Sequence, residues 1–213
     1  MDKIALLDEV AAQVRVCQAC ELHRSRKNAV PGEGNVNSEI LFIGEAPGFH
    51  ENEQGRPFVG QAGKLLDELL REAGFEREAT FIANVVKCRP PNNRDPLPEE
   101  LAACSKYLNL QIEAIHPRII VTLGRVSMGK FLPDARIGMV HGKTFHVENH
   151  IVIPMYHPAA ALHQPSLKST LLADFRALPA IIEKTKPAVV NAEKNNDLHA
   201  KTDLEKPEQL TLF

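Results

Sequence analysis

The strongest constraint on the fold is the recurrence of four short apolar runs, at residues 40–44, 81–86, 119–123 and 151–155. They are rich in Ile and Val, and several are apolar at consecutive positions rather than alternating. Strands buried on both faces of a parallel sheet read this way. Between and after them lie stretches with helical spacing, at 63–73, 98–115, 125–131 and 167–182, and Pro98 and Glu99 suit a first helical turn. Strand followed by helix, four times over, predicts an α/β domain: a three-layer α/β/α arrangement around a four-stranded parallel sheet. A further amphipathic helix is expected over 3–16, with Ile4, Leu7, Val10 and Val14 at helical spacing, and the alternation within 141–148 predicts a short extra strand.

With 213 residues, 44% of them hydrophobic, the chain can bury one substantial core. From about residue 185 the composition changes to Lys, Asn, Glu, Asp, Pro and Ala, with little to bury. This predicts a folded domain over 1–184 and a disordered tail over 185–213. A net charge of -2 excludes a generally basic coat, so any nucleic-acid contact must use local cations. The first residues mix acids with helix formers and lack the pattern of a signal peptide. No apolar stretch approaches the ~20 residues that span a bilayer. The chain therefore reads as a cytoplasmic monomer without a membrane segment, in which cysteines are ligands or core residues rather than disulfides.

The four cysteines are Cys17 and Cys20, two residues apart, then Cys88 and Cys104 with fifteen residues between them. Zinc sites favour two close pairs, and only the first pair fits. A 4Fe–4S cluster needs four thiolates that converge in space, whatever their spacing in sequence. A buried structural role for Cys88 and Cys104 is the third reading, and spacing alone leaves all three open. Arg15, Arg24, Arg26, Lys27, Lys87, Arg89 and Arg94 lie near the cysteines in sequence. Such cations offset the charge of a thiolate cluster and can meet phosphates; otherwise they form a solvated face.

The first strand ends in Gly44-Glu45-Ala46-Pro47-Gly48, where α/β sheets place their ligands. A Gly-rich stretch, Gly55-Arg56-Pro57-Phe58-Val59-Gly60-Gln61-Ala62-Gly63, follows soon after and matches neither a P-loop nor a dinucleotide fingerprint. These two segments, with Asn84-Val85-Val86-Lys87-Cys88-Arg89-Pro90-Pro91, His157-Pro158-Ala159-Ala160-Ala161-Leu162 and the four cysteines, resemble family 4 uracil-DNA glycosylases. The resemblance covers roughly residues 4–183, with the motifs in the family's order. It implies a four-stranded parallel α/β/α fold and a 4Fe–4S cluster on Cys17, Cys20, Cys88 and Cys104. It also implies hydrolysis of the N-glycosidic bond of deoxyuridine in single- and double-stranded DNA, leaving an abasic site for base excision repair. One departure is Glu51-Asn52, where such proteins often carry Glu-Asp, so a carboxylate role at 52 is not available here.

Excision requires the nucleotide to be flipped out of its stack. Phe58 is the candidate stacking face, unless it only packs the core. Asn84 can donate to uracil O4 and accept from N3–H through one amide, or serve as a turn residue. His157 can donate to O2 as negative charge builds there, as a neutral or charged ring; only its His-Pro context singles it out among nine histidines. Glu45 is the candidate to orient water and stabilise the oxocarbenium-like sugar. Ala46, Pro47 and Gly48 bring backbone close to the base, and Glu51 is the candidate to meet the C5 methyl of thymine. The segment 159–162 is read as a loop that enters the base stack with Leu162 as a wedge, or packs the next turn.

The last residues, Gln209-Leu210-Thr211-Leu212-Phe213, resemble the short peptide by which bacterial repair proteins dock on the sliding clamp. The Leu and Phe side chains would fill apolar pockets, with Gln209 bonding at the rim. Two rival functions are a relative that traps uracil-DNA covalently and a non-catalytic iron–sulfur DNA-binding module. The first carries a His-containing insertion that the segment 92–97 lacks; the second has no use for a base pocket.

Overall fold

The computed structural model describes residues 2–185. In chain order the elements are α1 (Lys3–Val16), α2 (Leu22–Ser25), β1 (Glu33–Gly34), β2 (Ile40–Gly44), α3 (Phe49–Gln54), α4 (Gln61–Glu72), β3 (Phe81–Asn84) and α5 (Pro98–Ile115). They continue with β4 (Ile119–Leu123), α6 (Arg125–Gly129), α7 (Ile137–Val140), β5 (Phe145–Val147), β6 (His150–Met155), α8 (Pro158–His163) and α9 (Ser166–Lys184).

The four apolar runs form β2, β3, β4 and β6, paired in parallel in the order β3-β2-β4-β6. Two short antiparallel strands extend this core to six. β5, which pairs with β6, lies within the expected alternating segment; β1, which pairs with β3, carries no apolar signal. Alternate side chains of the central strands enter opposite layers. Phe42, Ile82, Val121 and Ile153 pack with Leu66, Leu69 and Phe175 of α4 and α9. Leu41, Ile43, Ala83, Ile120 and Val152 pack with Leu7 of α1 and Leu108 and Ile115 of α5. Burial on both faces is why these strands read as continuous apolar runs.

Three local expectations change. The second run leaves regular pairing at Asn84, although Val85 and Val86 still donate to the Gly44 and Glu45 carbonyls at 3.0 and 3.1 Å. Residues 49–54, where the sequence predicts no helix, form α3, closed by Gly55 in the left-handed conformation. Residues 159–162, read as loop, lie in α8, because Pro158 suits a first helical position and the His157 side chain caps the turn. Among the described residues, no helix is long and apolar enough to cross a membrane.

Candidate active site

Because the strand order reverses between β2 and β4, a crevice opens beyond the carboxyl ends of the parallel strands. A cavity of about 360 Å³ lies there, lined by Glu45, Pro47 and Gly48 after β2, Asn84 at the end of β3, and His157 after β6. Ala46, Glu51, Phe58, Ala62, Pro90, Asn93, Arg94 and Ala159 complete the wall.

Asn84 is 2% exposed, and its Oδ1 is buried without a hydrogen-bond partner among the described residues. Leaving such an acceptor unmatched costs about 1–3 kcal/mol, which a ligand donor at this spot would relieve. The main chain of Asn84 is fixed from behind: Lys87 Nζ, wholly buried, donates to its carbonyl at 2.9 Å and to Gln111 Oε1 at 2.6 Å. Gly44 permits the arrangement. A Cβ there would sit 2.4 Å from Asn84 Oδ1 and 2.6 Å from the Phe58 ring, so glycine lets the amide and the ring share the floor of the site.

Phe58 packs against His157, with ring centroids 5.6 Å apart. Its φ of 51° is rare for an aromatic residue and must be imposed from outside. Arg77 Nη2 donates to the Pro57 carbonyl at 2.7 Å, and Glu51 Oε1 accepts from the N–H groups of Val59 and Gly60 at 2.8 Å. Below, a Cβ at Gly63 would come within 1.9 Å of the Phe58 carbonyl oxygen. The second Glu51 oxygen accepts from Gly48 N–H at 3.1 Å, so one buried carboxylate ties both glycine-rich segments together. Asn52 Oδ1 accepts from the Lys27 main-chain N–H at 2.9 Å, a role for which an uncharged amide suffices.

His157 Nδ1 accepts from Ala159 N–H at 3.1 Å, which puts the ring proton on Nε2. Burial pushes its pKa down to about 4, against an opposing pull from Glu51. The imidazole is thus a neutral donor. Glu45 is half-buried and its pKa is raised, first by burial and then by Asp95, with Arg125 opposing. It makes no side-chain hydrogen bond among the described residues. Arg94 is held at the rim by a two-pronged pair with buried Glu100, at 2.7 and 2.9 Å. The site combines a neutral hydrogen-bond donor, a carboxylate that takes up a proton readily, a buried amide and an aromatic face.

A family model for the uracil DNA glycosylase superfamily matches residues 31–177. Several relatives carry the name type-4 uracil-DNA glycosylase. The protein of Saccharolobus solfataricus is 53% identical over 80% of this chain and 83% of its own. That of Archaeoglobus fulgidus is 45% identical over 86% and 96%, and that of Thermotoga maritima 45% identical over 84% and 96%. The chain belongs to the type-4 uracil-DNA glycosylase family.

Of the site residues expected for this glycosylase from sequence, Glu45, Ala46, Pro47, Gly48, Glu51, Phe58, Asn84 and His157 line one cavity. Leu162 does not; it stands 48% exposed on α8, downstream of the cavity residue Ala159. Sequence reasoning missed Pro90 and Asn93 and did not place Arg94 in the wall. The Pro-Pro-Asn-Asn run signals a turn, but not which cavity the turn faces.

All four cysteines of this family member line a second, smaller pocket, and none of them is in a disulfide. Cys17 and Cys20 follow α1, Cys88 follows β3, and Cys104 lies on α5. Arg26 Nη1 donates to Cys88 Sγ at 3.1 Å and the Lys87 main-chain N–H to Cys104 Sγ at 3.2 Å. Burial raises the pKa of Cys20 and Cys88, and that of Cys104 to about 11. Among the described residues, no three His, Cys, Asp or Glu are grouped closely enough to hold a single metal ion.

Proposed function

We propose that the protein excises uracil from DNA by hydrolysing the N-glycosidic bond of a flipped deoxyuridine, releasing the base and leaving an abasic site. The observation that carries this reading is the buried, unpartnered Asn84 Oδ1 in a cavity shared with a neutral His157 and a half-buried Glu45. Uracil N3–H supplies the missing donor, and O4 accepts from the same amide; cytosine, with a lone pair at N3 and an amino group at C4, offers the reverse pattern. Phe58 provides a stacking face. His157 Nε2–H donates to O2 as the glycosidic electron pair moves onto the base. Glu45 orients the water, takes its proton and balances the cationic sugar. The reaction needs no lyase step, and both single and double strands are substrates once the nucleotide is flipped. Thymine is excluded by the wall that Glu51 organises; thymine release by Glu51→Ala but not by wild type supports this, and no such release counts against it.

The cysteine pocket supports a 4Fe–4S cluster held by Cys17, Cys20, Cys88 and Cys104. The donor set is all thiol, and N–H donors point at the sulfurs of Cys88 and Cys104. Such a cluster would tie three chain segments together through its bonds to these thiolates. The tail over 185–213, including Gln209, Leu210, Leu212 and Phe213, lies beyond the described residues except for Thr185. We assign it to sliding-clamp docking: deletion of 209–213 should abolish clamp binding yet leave excision from short oligonucleotides intact, and unchanged clamp affinity rejects the assignment. We place the protein in the cytoplasm as a monomer.

The deciding experiment is multiple-turnover release of free uracil from a uracil-containing oligonucleotide by anaerobically purified protein. Turnover that Asn84→Asp abolishes is the expected result. Intact protein that binds this DNA and releases no uracil overturns the reading.

A further inference from the structure

Just outside the cavity, Phe49 opens α3 directly after the cavity residue Gly48 and is 53% exposed, although large apolar side chains are normally buried. The Arg89 guanidinium lies over its ring, 5.3 Å from the centroid, and the His50 ring stands nearly perpendicular to it. Arg89 is fixed there by one bond, Nε to Asn93 Oδ1 at 2.8 Å. Asn93 is itself a cavity residue, and both Asn92 and Asn93 adopt φ near 50° (54° and 53°) to make the turn. The terminal nitrogens of Arg89 have no partner among the described residues. Its side chain is thus oriented without being neutralised, since no carboxylate pairs with it there. A half-exposed aromatic ring joined to a free guanidinium, continuous with a base-sized cavity, matches the way single-stranded nucleic acid is held: a base on the π-face and its phosphate on a cation.

We propose that Phe49 and Arg89 form a subsite for the nucleotide that neighbours the flipped uracil, its base on the uncovered side of the Phe49 ring and the adjoining phosphate at the terminal nitrogens of Arg89. This rests on the uracil-DNA reading and extends it to the strand outside the pocket. Phe49 takes no part in bond cleavage, and its action is on how tightly the strand is held.

The test uses the full chain with single-stranded 15-mers carrying a central deoxyuridine, fully based or with an abasic spacer on either side of it. Wild type should lose about fivefold to tenfold in kcat/KM when the base on one side is missing, as expected for one lost stacking contact. Phe49→Ala should show that loss on the fully based strand and no further loss with the spacer, and Phe49→Tyr should restore the wild-type pattern. Binding is read in parallel by fluorescence anisotropy on the same strands with 2′-fluoro-deoxyuridine, whose electron-poor sugar resists cleavage. There, Arg89→Met should reduce the slope of log affinity against log salt by about one. If Phe49→Ala keeps the wild-type ratio between based and spacer strands in both measurements, the subsite is overturned. Absence of uracil release by wild type is a separate result that strikes the glycosylase reading, and the binding arm still decides the subsite.

Discussion

His157 and Glu45 differ in pKa for one reason, burial, which works in opposite directions on a base and an acid. It lowers His157 to about 4 and raises Glu45 above its ordinary 4.5. The imidazole therefore stays neutral well below pH 6.5, whereas the carboxylate is the first group lost on acidification. In wild type kcat/KM should be level near neutrality and fall as pH drops through the raised pKa of Glu45. Glu45→Gln should be slower by more than about tenfold and lack that limb, its residual activity holding until about pH 4, where His157 Nδ1 is protonated and loses the Ala159 N–H. A limb near pH 6.5 in Glu45→Gln would remove the neutral donor from the mechanism. The His157 shift also acts on stability. Between pH 6.5 and 4 the unfolded chain binds a proton that the folded chain refuses, so this contribution is complete above 6.5 and is lost as pH falls. Gly44 is the residue with least room to change. Gly44→Ala drives a methyl into both Asn84 Oδ1 and the Phe58 ring, and should reduce excision by more than about tenfold through misplaced recognition and electrostatic groups, checked by single-turnover release.

At the scale of elements, the segment from α3 to α4 is a clamp around a strained Phe58. Glu51 satisfies three main-chain N–H groups in it, from Gly48, Val59 and Gly60. Glu51→Ala leaves them unpaired and should cost about 2–4 kcal/mol in a denaturant titration. Unchanged stability would mean that water replaces the carboxylate. On the far side, α8 is set by its His157 cap and Pro158, and carries Leu162 into solvent. Leu162→Ala should slow excision from duplex DNA while sparing single strands, because only the duplex has a stack to fill; equal rates on both would leave Leu162 a surface residue. The central strands and long helices were legible because burial on two faces, or on one helical stripe, writes itself into consecutive residues. α8 was read as loop because six residues are too few for periodicity to show. The Gly44 contacts with Asn84 and Phe58, and the hold of Arg77 on Pro57, were not legible, since they join residues far apart in sequence that only the sheet order brings together.

Across the whole molecule, the cysteine pocket is where the N-terminal segment meets the domain. α1 rests on α5 through Leu7, Val10 and Val14, but the chain from Cys17 to Val30 has little regular structure beyond the single turn of α2. Its anchors include Leu22 and Ala29 in the core, Lys27 and Asn28 on Asn52 and Glu53 of α3, Arg26 on Cys88 Sγ and the Arg15 carbonyl, and Val30 N–H on the Lys87 carbonyl. Arg26 and Val30 thus lead to the Lys87-Cys88 pair, and Lys87 also holds the Asn84 carbonyl. The proposed cluster on the four sulfurs would fasten the N-terminal segment and steady the main chain that presents Asn84. If the cluster is bound as proposed, Cys17→Ser should bleach the visible iron–sulfur absorbance of anaerobically purified protein, lower Tm, and open the chain to trypsin at Arg24, Arg26 and Lys27, which lie within the segment released. It should also weaken the discrimination of uracil from cytosine more than it slows wild-type-like excision at saturating substrate, because the amide loses its fixed orientation before the cavity loses its acid–base groups. A bleached variant with native Tm, native trypsin resistance and unaltered discrimination would show that α1 packing alone holds the segment and that the four thiols are dispensable to the fold.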